Sequence, residues 1–179
     1  MLWMQLGTSV HMWPQKMWER AVAAVRTFPV RIEGWAAIVI IFSFFSMASY
    51  GIASGWVRPK GATTAGRWQG LLVTFISPSF FEELWFRGVL LPPDAHKHAF
   101  LQIALGLIVF VVYHLNLFHQ KAVFVERRFL CISFMLGCCC SAAFLGSGSL
   151  WPAVVCHWVP VWFWLFVLGG AQEHFDTGT

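Results

Sequence analysis

Charge is what this sequence has least of. Asp, Glu, Lys and Arg make up 11% of its 179 residues, against about 25% in an ordinary soluble domain. The deficit is spread over several long apolar runs rather than one, and 58% of the residues are hydrophobic, with a mean hydropathy of +0.66. That pattern excludes a soluble domain with a single anchor and predicts a polytopic membrane protein, with the lipid bilayer as its first partner. Dense basic runs are also missing. A net charge of +4 and a pI near 9.0 are spread too thinly to track a phosphate backbone, so nucleic acid is not an expected partner. The first 33 residues show no basic start leading into an apolar core with a small-residue cleavage site, so no secretory signal is expected. No internal repeat is visible. A disulfide framework is excluded too. There are five cysteines, an odd count, four of them (Cys131, Cys138, Cys139 and Cys140) within one apolar segment and the fifth at Cys156. They read as small apolar residues at helix contacts rather than as metal ligands or redox groups.

What is present is a series of helix-length apolar segments. Residues 14–28 place Met17, Ala21, Ala24 and Phe28 on one face and Lys16, Arg20 and Arg26 towards the other. This predicts an amphipathic helix lying in the membrane interface, and residues 1–33 are read as that interfacial unit. Residues 34–56 form the first expected span, followed by a polar loop through Gly70 with Arg58, Lys60 and Arg67; residues 34–67 make up this second unit. Further spans are expected at 71–91, 99–117, 129–145 and 150–170, with Pro92-Pro93 closing the second of the five because proline cannot continue a helix. The Gly-, Ala-, Ser- and Cys-rich fourth segment suits close helix approach in lipid. Gly146-Ser147-Gly148-Ser149 is a tight turn, and residues 171–179 are a short acidic tail. The fold class is thus all-α: a polytopic transmembrane bundle of about five spanning helices plus an amino-terminal amphipathic helix. Basic residues divide five against six between the two sides, which gives no orientation.

The second span breaks the apolar pattern. It carries Glu82, Glu83 and Arg87 inside a run of aliphatic and aromatic residues. Each ionisable group facing lipid at mid-bilayer costs roughly 2.5–3.5 kcal/mol, so the three are expected to face protein or a water-filled cavity and to have a function. At about 100° per residue, Arg87 lies about 40° round the helix from Glu83 and about 140° from Glu82. Glu83 and Arg87 therefore read as a structural pair in the favoured Glu-to-Arg direction, and Glu82 as a free carboxylate in an aromatic setting, suited to general-base work. Two more polar groups lie on other spans: His114, one turn after Phe110, and His157 within Trp151-Pro-Ala-Val-Val-Cys-His157. A carboxylate and two histidines from three helices can converge on an activated water, or on a zinc ion. His11, His96, His98, His119 and His174 fall in loops or tails and read as solvated. A small transporter or proton channel could use the same buried groups, but the halves show no inverted repeat of the kind transporters use.

Glu82-Glu83-x-x-x-Arg87, then Phe110-x-x-x-His114, then His157 after Gly-Ser-Leu-Trp-Pro-Ala, resembles the CAAX-protease and bacteriocin-processing (Abi-type) family of intramembrane endopeptidases, over roughly residues 68–170. The resemblance implies a protease core there, acting on a peptide or lipidated-protein substrate. It implies Glu82 as catalytic base, His114 as its partner on the water, His157 at the oxyanion, and Glu83 and Arg87 as site-ordering residues. It also implies a glutamic-type reaction with no cofactor, zinc being the alternative on the same three side chains. One position departs from the family's pattern. Four residues after the histidine of the third motif the family usually has Asn or Asp, and this chain has Val161, which can neither donate nor accept a hydrogen bond. Asn116, the single asparagine in the chain, is a candidate replacement donor. A member that kept the fold and lost the chemistry, acting as a membrane binding or scaffold protein, is the alternative expectation.

Overall fold

The computed structural model describes residues 13–28, 34–57, 67–91, 99–115 and 125–168. The regular structure among those residues is helical, with no strand. Six helices follow in order: α1 (Trp13–Arg26), α2 (Gly34–Ala53), α3 (Arg67–Thr74), α4 (Ala99–His114), α5 (Arg127–Ser147) and α6 (Leu150–Trp162). Beyond α3 the chain crosses a kink within Phe75–Phe80 and continues as one α-turn, Phe81–Glu83, and a wider π-helical stretch, Leu84–Val89. The polar loop expected through Gly70 is shorter, since α3 already begins at Arg67. Asn116, the five loop and tail histidines, and the acidic tail lie outside the described residues.

The segment carrying the charges is kinked where a continuous helix was expected. Ser77 leaves the helical region (φ −134°, ψ 121°) and is joined to Pro78 by a cis bond. A residue before proline is pushed towards extended conformations, and proline brings no N–H to the helix ladder. Helical bonding resumes at once, the Phe81 N–H reaching back to Ile76 O and Pro78 O. The break therefore lies only a few residues before Glu82.

α5 and α6 form the centre of the bundle. Gly148 ends α5 in the left-handed region (φ 64°), its N–H bonded to Phe144 O at 2.8 Å; glycine is the residue that tolerates this cap. Ser149 then caps α6, its Oγ accepting from the Trp151 N–H. Leu136, Cys140, Ala143 and Phe144 of α5 pack with Leu150, Ala153, Val154 and Cys156 of α6. All five thiols are free, and Cys140 Sγ lies 3.6 Å from Ala153 O, so at Cys140 a thiol packs as a small buried residue. The end of α1 is tied to the start of α6. Ser149 Oγ donates to Thr27 O (2.5 Å) and Trp151 Nε1 to Val25 O (3.0 Å), which satisfies carbonyls that a helix end leaves unpaired. Ala24 of α1 is buried, while Lys16 and Arg26 are exposed.

Among the described residues two helices, Arg127–Ser147 and Leu150–Val167, are long and apolar enough to cross a membrane, and the apolar helices Ala37–Ala53 and Phe100–His114 are shorter. Many large apolar side chains point outward, including Phe42 and Phe45 on α2 and Phe100, Leu105 and Ile108 on α4.

One glycine sets how closely α4 meets α5. A Cβ at Gly137 would lie 2.8 Å from Leu107 Cδ2 and 3.1 Å from Phe110 Cδ1, whereas one at Gly106 meets nothing within 4 Å. Gly137→Ala is expected to destabilise the bundle by about 1–3 kcal/mol through overpacking. Gly106→Ala is expected to stabilise it by about 0.5–1 kcal/mol through helix propensity. Thermal unfolding in detergent would show the two midpoints moving in opposite directions.

Candidate active site

The i to i+4 spacing of Glu83 and Arg87 produces the pair it predicts. Arg87 Nη1 donates to Glu83 Oε1 at 3.0 Å, with both side chains essentially buried (2% and 0% exposed). Their other contacts reach three further helices. Arg87 Nη2 donates to Gly137 O of α5 at 2.8 Å, and its guanidinium sits 4.7 Å from the centroid of the Phe110 ring of α4. His157 Nδ1 of α6 lies 2.7 Å from the same Glu83 oxygen. An ionised carboxylate only accepts, so Nδ1 carries the proton and donates. Glu83 thus fixes the tautomer and plane of His157 as well as pairing with Arg87. That contact spans 74 positions and no spacing in the sequence announces it.

Fixing Nδ1 on Glu83 leaves Nε2 of His157 facing the other carboxylate, 3.9 Å from Glu82 Oε2. His114 is fixed in a similar way. Its Nδ1 lies 2.9 Å from Phe110 O, a carbonyl that can only accept, so Nδ1–H donates. Its Nε2 faces Glu82 Oε2 at 3.6 Å. The Phe110 ring, fully buried, packs against both imidazoles, with centroids 4.4 Å from His114 and 6.2 Å from His157. The structure therefore brings Glu82, His114 and His157 together from the kinked segment, α4 and α6. Both nitrogen-to-oxygen gaps exceed hydrogen-bonding distance. Glu82 Oε2 is buried with no hydrogen-bond partner of its own, an uncommon and costly state for a carboxylate oxygen.

These groups open onto one cavity of about 290 Å³. Its polar wall holds Glu82, Tyr113, His114, Ser133 and His157, and its apolar wall includes Phe44, Trp56, Phe129 and Trp164. Val161 and Pro160 line it as well, which puts the departing position on the cavity wall. Tyr113, which sequence reasoning passed over, lines this cavity beside His114, their ring centroids 5.5 Å apart. Its place beside His114 was the available signal.

Among the described residues, the His, Cys, Asp and Glu group whose ligand atoms all lie within 4.8 Å of one another is Glu83, Cys140 and His157. Glu83 and His157 already bond to each other there, and the Arg87 cation occupies the same carboxylate oxygen, so the group does not suit a second cation. Glu82, His114 and His157 fall outside that 4.8 Å limit as a set, wider than the spacing of about 3.4 Å between ligands on a tetrahedral zinc with bonds near 2.1 Å. The residues as placed do not fit zinc.

Buried carboxylates and imidazoles from three helical segments thus meet at one cavity inside a helical bundle. The sequence profile of the type II CAAX prenyl endopeptidase Rce1-like proteins matches residues 64–163, from just before α3 to the end of α6. This is more than half of the chain, and the protein belongs to that family, which is membrane-embedded. Comparison with curated proteins and with solved structures gave no match.

Glu83→Gln is expected to lower stability as well as rate, because it leaves Arg87 buried without its counter-charge. Breaking a buried pair from one side typically costs about 3–5 kcal/mol. A double-mutant cycle of Glu83→Gln with Arg87→Met, read by thermal unfolding, should give strong coupling. Additive losses would show that the pair is not the unit described.

Proposed function

We propose that this chain is a multi-pass intramembrane endopeptidase that hydrolyses a peptide bond of a membrane-associated substrate with a water activated by Glu82. The observation that carries this reading is the buried, unbonded Oε2 of Glu82 facing Nε2 of both histidines across gaps of 3.6 and 3.9 Å. Glu82 Oε2 and a neutral His114 Nε2 are both acceptors, and a water seated beside them supplies the donors they share. Residues 68–170 are the protease core in this reading. The outward apolar side chains of α2, α3, α4 and α5 support five crossings, with α1 at the interface.

In this mechanism Glu82 takes a proton from the water as its oxygen bonds to the scissile carbonyl carbon. His114 holds the water in line. The carbonyl electrons move onto oxygen, and the developing oxyanion accepts from His157 Nε2–H. To donate from Nε2 while Nδ1 donates to Glu83, the His157 ring must carry both protons, and Glu83 is the counter-charge that supports this. Collapse of the tetrahedral intermediate breaks the C–N bond, and the proton held by Glu82 passes to the leaving amine. The aromatic and aliphatic wall suits an apolar substrate tail beside the scissile bond, in keeping with a prenylated CAAX end. No step uses a metal, so chelators should leave the rate unchanged. The alternative is a catalytically weakened member acting as a membrane binding or scaffold protein, and Val161 on the cavity wall is the observation in its favour.

In liposomes, with a farnesylated fluorogenic CAAX peptide, Glu82→Gln is expected to abolish cleavage while leaving the unfolding midpoint and peptide binding close to wild type. Retained cleavage would remove Glu82 as the base. Wild-type binding without cleavage would favour the scaffold reading.

A further inference from the structure

We propose that the Tyr113 hydroxyl supplies the oxyanion hydrogen bond that Val161 cannot. The inference rests on the endopeptidase reading above. Beyond His157, an oxyanion in this cavity needs a second donor on the wall near Glu82. Val161 lines the cavity and offers none. Of the polar groups around Glu82, His114 spends its Nδ1 proton on Phe110 O, and the carboxylate itself accepts. Tyr113 remains, a neutral O–H donor lining the same cavity.

Three features place this hydroxyl. α4 sets Tyr113 directly before His114, so the residue that aligns the water and the residue offering the O–H share one turn. The Tyr113 ring packs edge-on against Phe86 (centroids 5.5 Å apart, 61°) and His114 (5.5 Å, 87°), which orients the phenol. It lines the same cavity as Glu82, His114 and His157, where the tetrahedral centre forms in the mechanism above. Tyr113 is still 55% exposed, so its hydroxyl is free to turn towards a bound peptide. As Glu82 takes the proton of the water and loses its charge, the new oxyanion becomes the strongest acceptor in the cavity, and the hydroxyl donates to it. Ser133 is the other hydroxyl on the cavity wall, but it lies on α5 and not in the turn that carries His114.

The test measures kcat and KM separately on the full chain in liposomes with the farnesylated CAAX peptide. Removing one oxyanion donor typically costs about 10²–10³ in rate. Tyr113→Phe is therefore expected to lower kcat by about that factor with KM little changed and the unfolding midpoint unmoved. Adding Val161→Asn to Tyr113→Phe is expected to restore most of the loss, because it places a side-chain amide on the same cavity wall. Wild-type kcat in Tyr113→Phe would overturn the proposal, as would a loss found instead in Ser133→Ala or Asn116→Ala. A kcat loss that Val161→Asn does not restore would make Tyr113 a positioning residue for Glu82 and overturn the donor role. A wild-type chain that binds the peptide and cleaves nothing would overturn this proposal together with the endopeptidase reading.

Discussion

Glu83 is a fully buried carboxylate in a chain with very few charges, and the rest of the site depends on how that charge is balanced. An isolated ion in an apolar interior costs tens of kcal/mol, far more than the about 5–15 kcal/mol by which a folded domain is stable. Arg87 answers it one helical turn away, but a buried pair still has to satisfy its remaining donors and acceptors. Gly137 O takes the second guanidinium nitrogen, the Phe110 ring covers its face, and His157 takes the second direction at Glu83 Oε1. Four helical segments are thereby tied at one point. Gly137 serves twice, since its missing side chain admits Phe110 and its carbonyl receives Arg87.

The same constraint separates two adjacent and chemically identical side chains. Glu83 holds Arg87 and His157 on its Oε1, while its Oε2 is buried without a hydrogen-bond partner. Glu82, one residue earlier, turns to the cavity with an oxygen that nothing in the protein bonds. Because Glu83 and Phe110 O each claim an imidazole Nδ1, both Nε2 atoms are left to Glu82. In the proposed mechanism the reactive geometry is what remains after the buried charge has been neutralised, which would tie rate and stability together at Glu83 and leave them separable at Glu82.

Much of this could be read from residues alone. The Glu83–Arg87 pair follows from helical spacing, the apolar runs from the lack of charge, and the close α4–α5 approach from small residues. The convergence of Glu82, His114 and His157 could be anticipated only as something three helices permit, since periodicity carries no distances between segments. The Glu83–His157 bond was not legible for that reason. The kink at Ser77 was legible in principle, because a residue before proline resists the helical conformation, yet apolar periodicity runs straight across it. Tyr113 was hidden by its surroundings, an apolar stretch that reads as lipid-facing. The role suggested for Asn116 lies outside the described residues, and the consequence of Val161 depends on which side chains share the cavity with it.

The central claim is that Glu82, with His114, holds the attacking water while His157 faces the oxyanion. A structure of the membrane-embedded protein with a farnesylated peptide aldehyde, whose hydrate mimics the tetrahedral intermediate, tests it most directly. The account predicts one hydrate oxygen within hydrogen-bonding distance of Glu82 Oε2 and His114 Nε2, and the other within reach of His157 Nε2. A hydrate bound elsewhere in the cavity, or held by a metal ion among these three side chains, would contradict it.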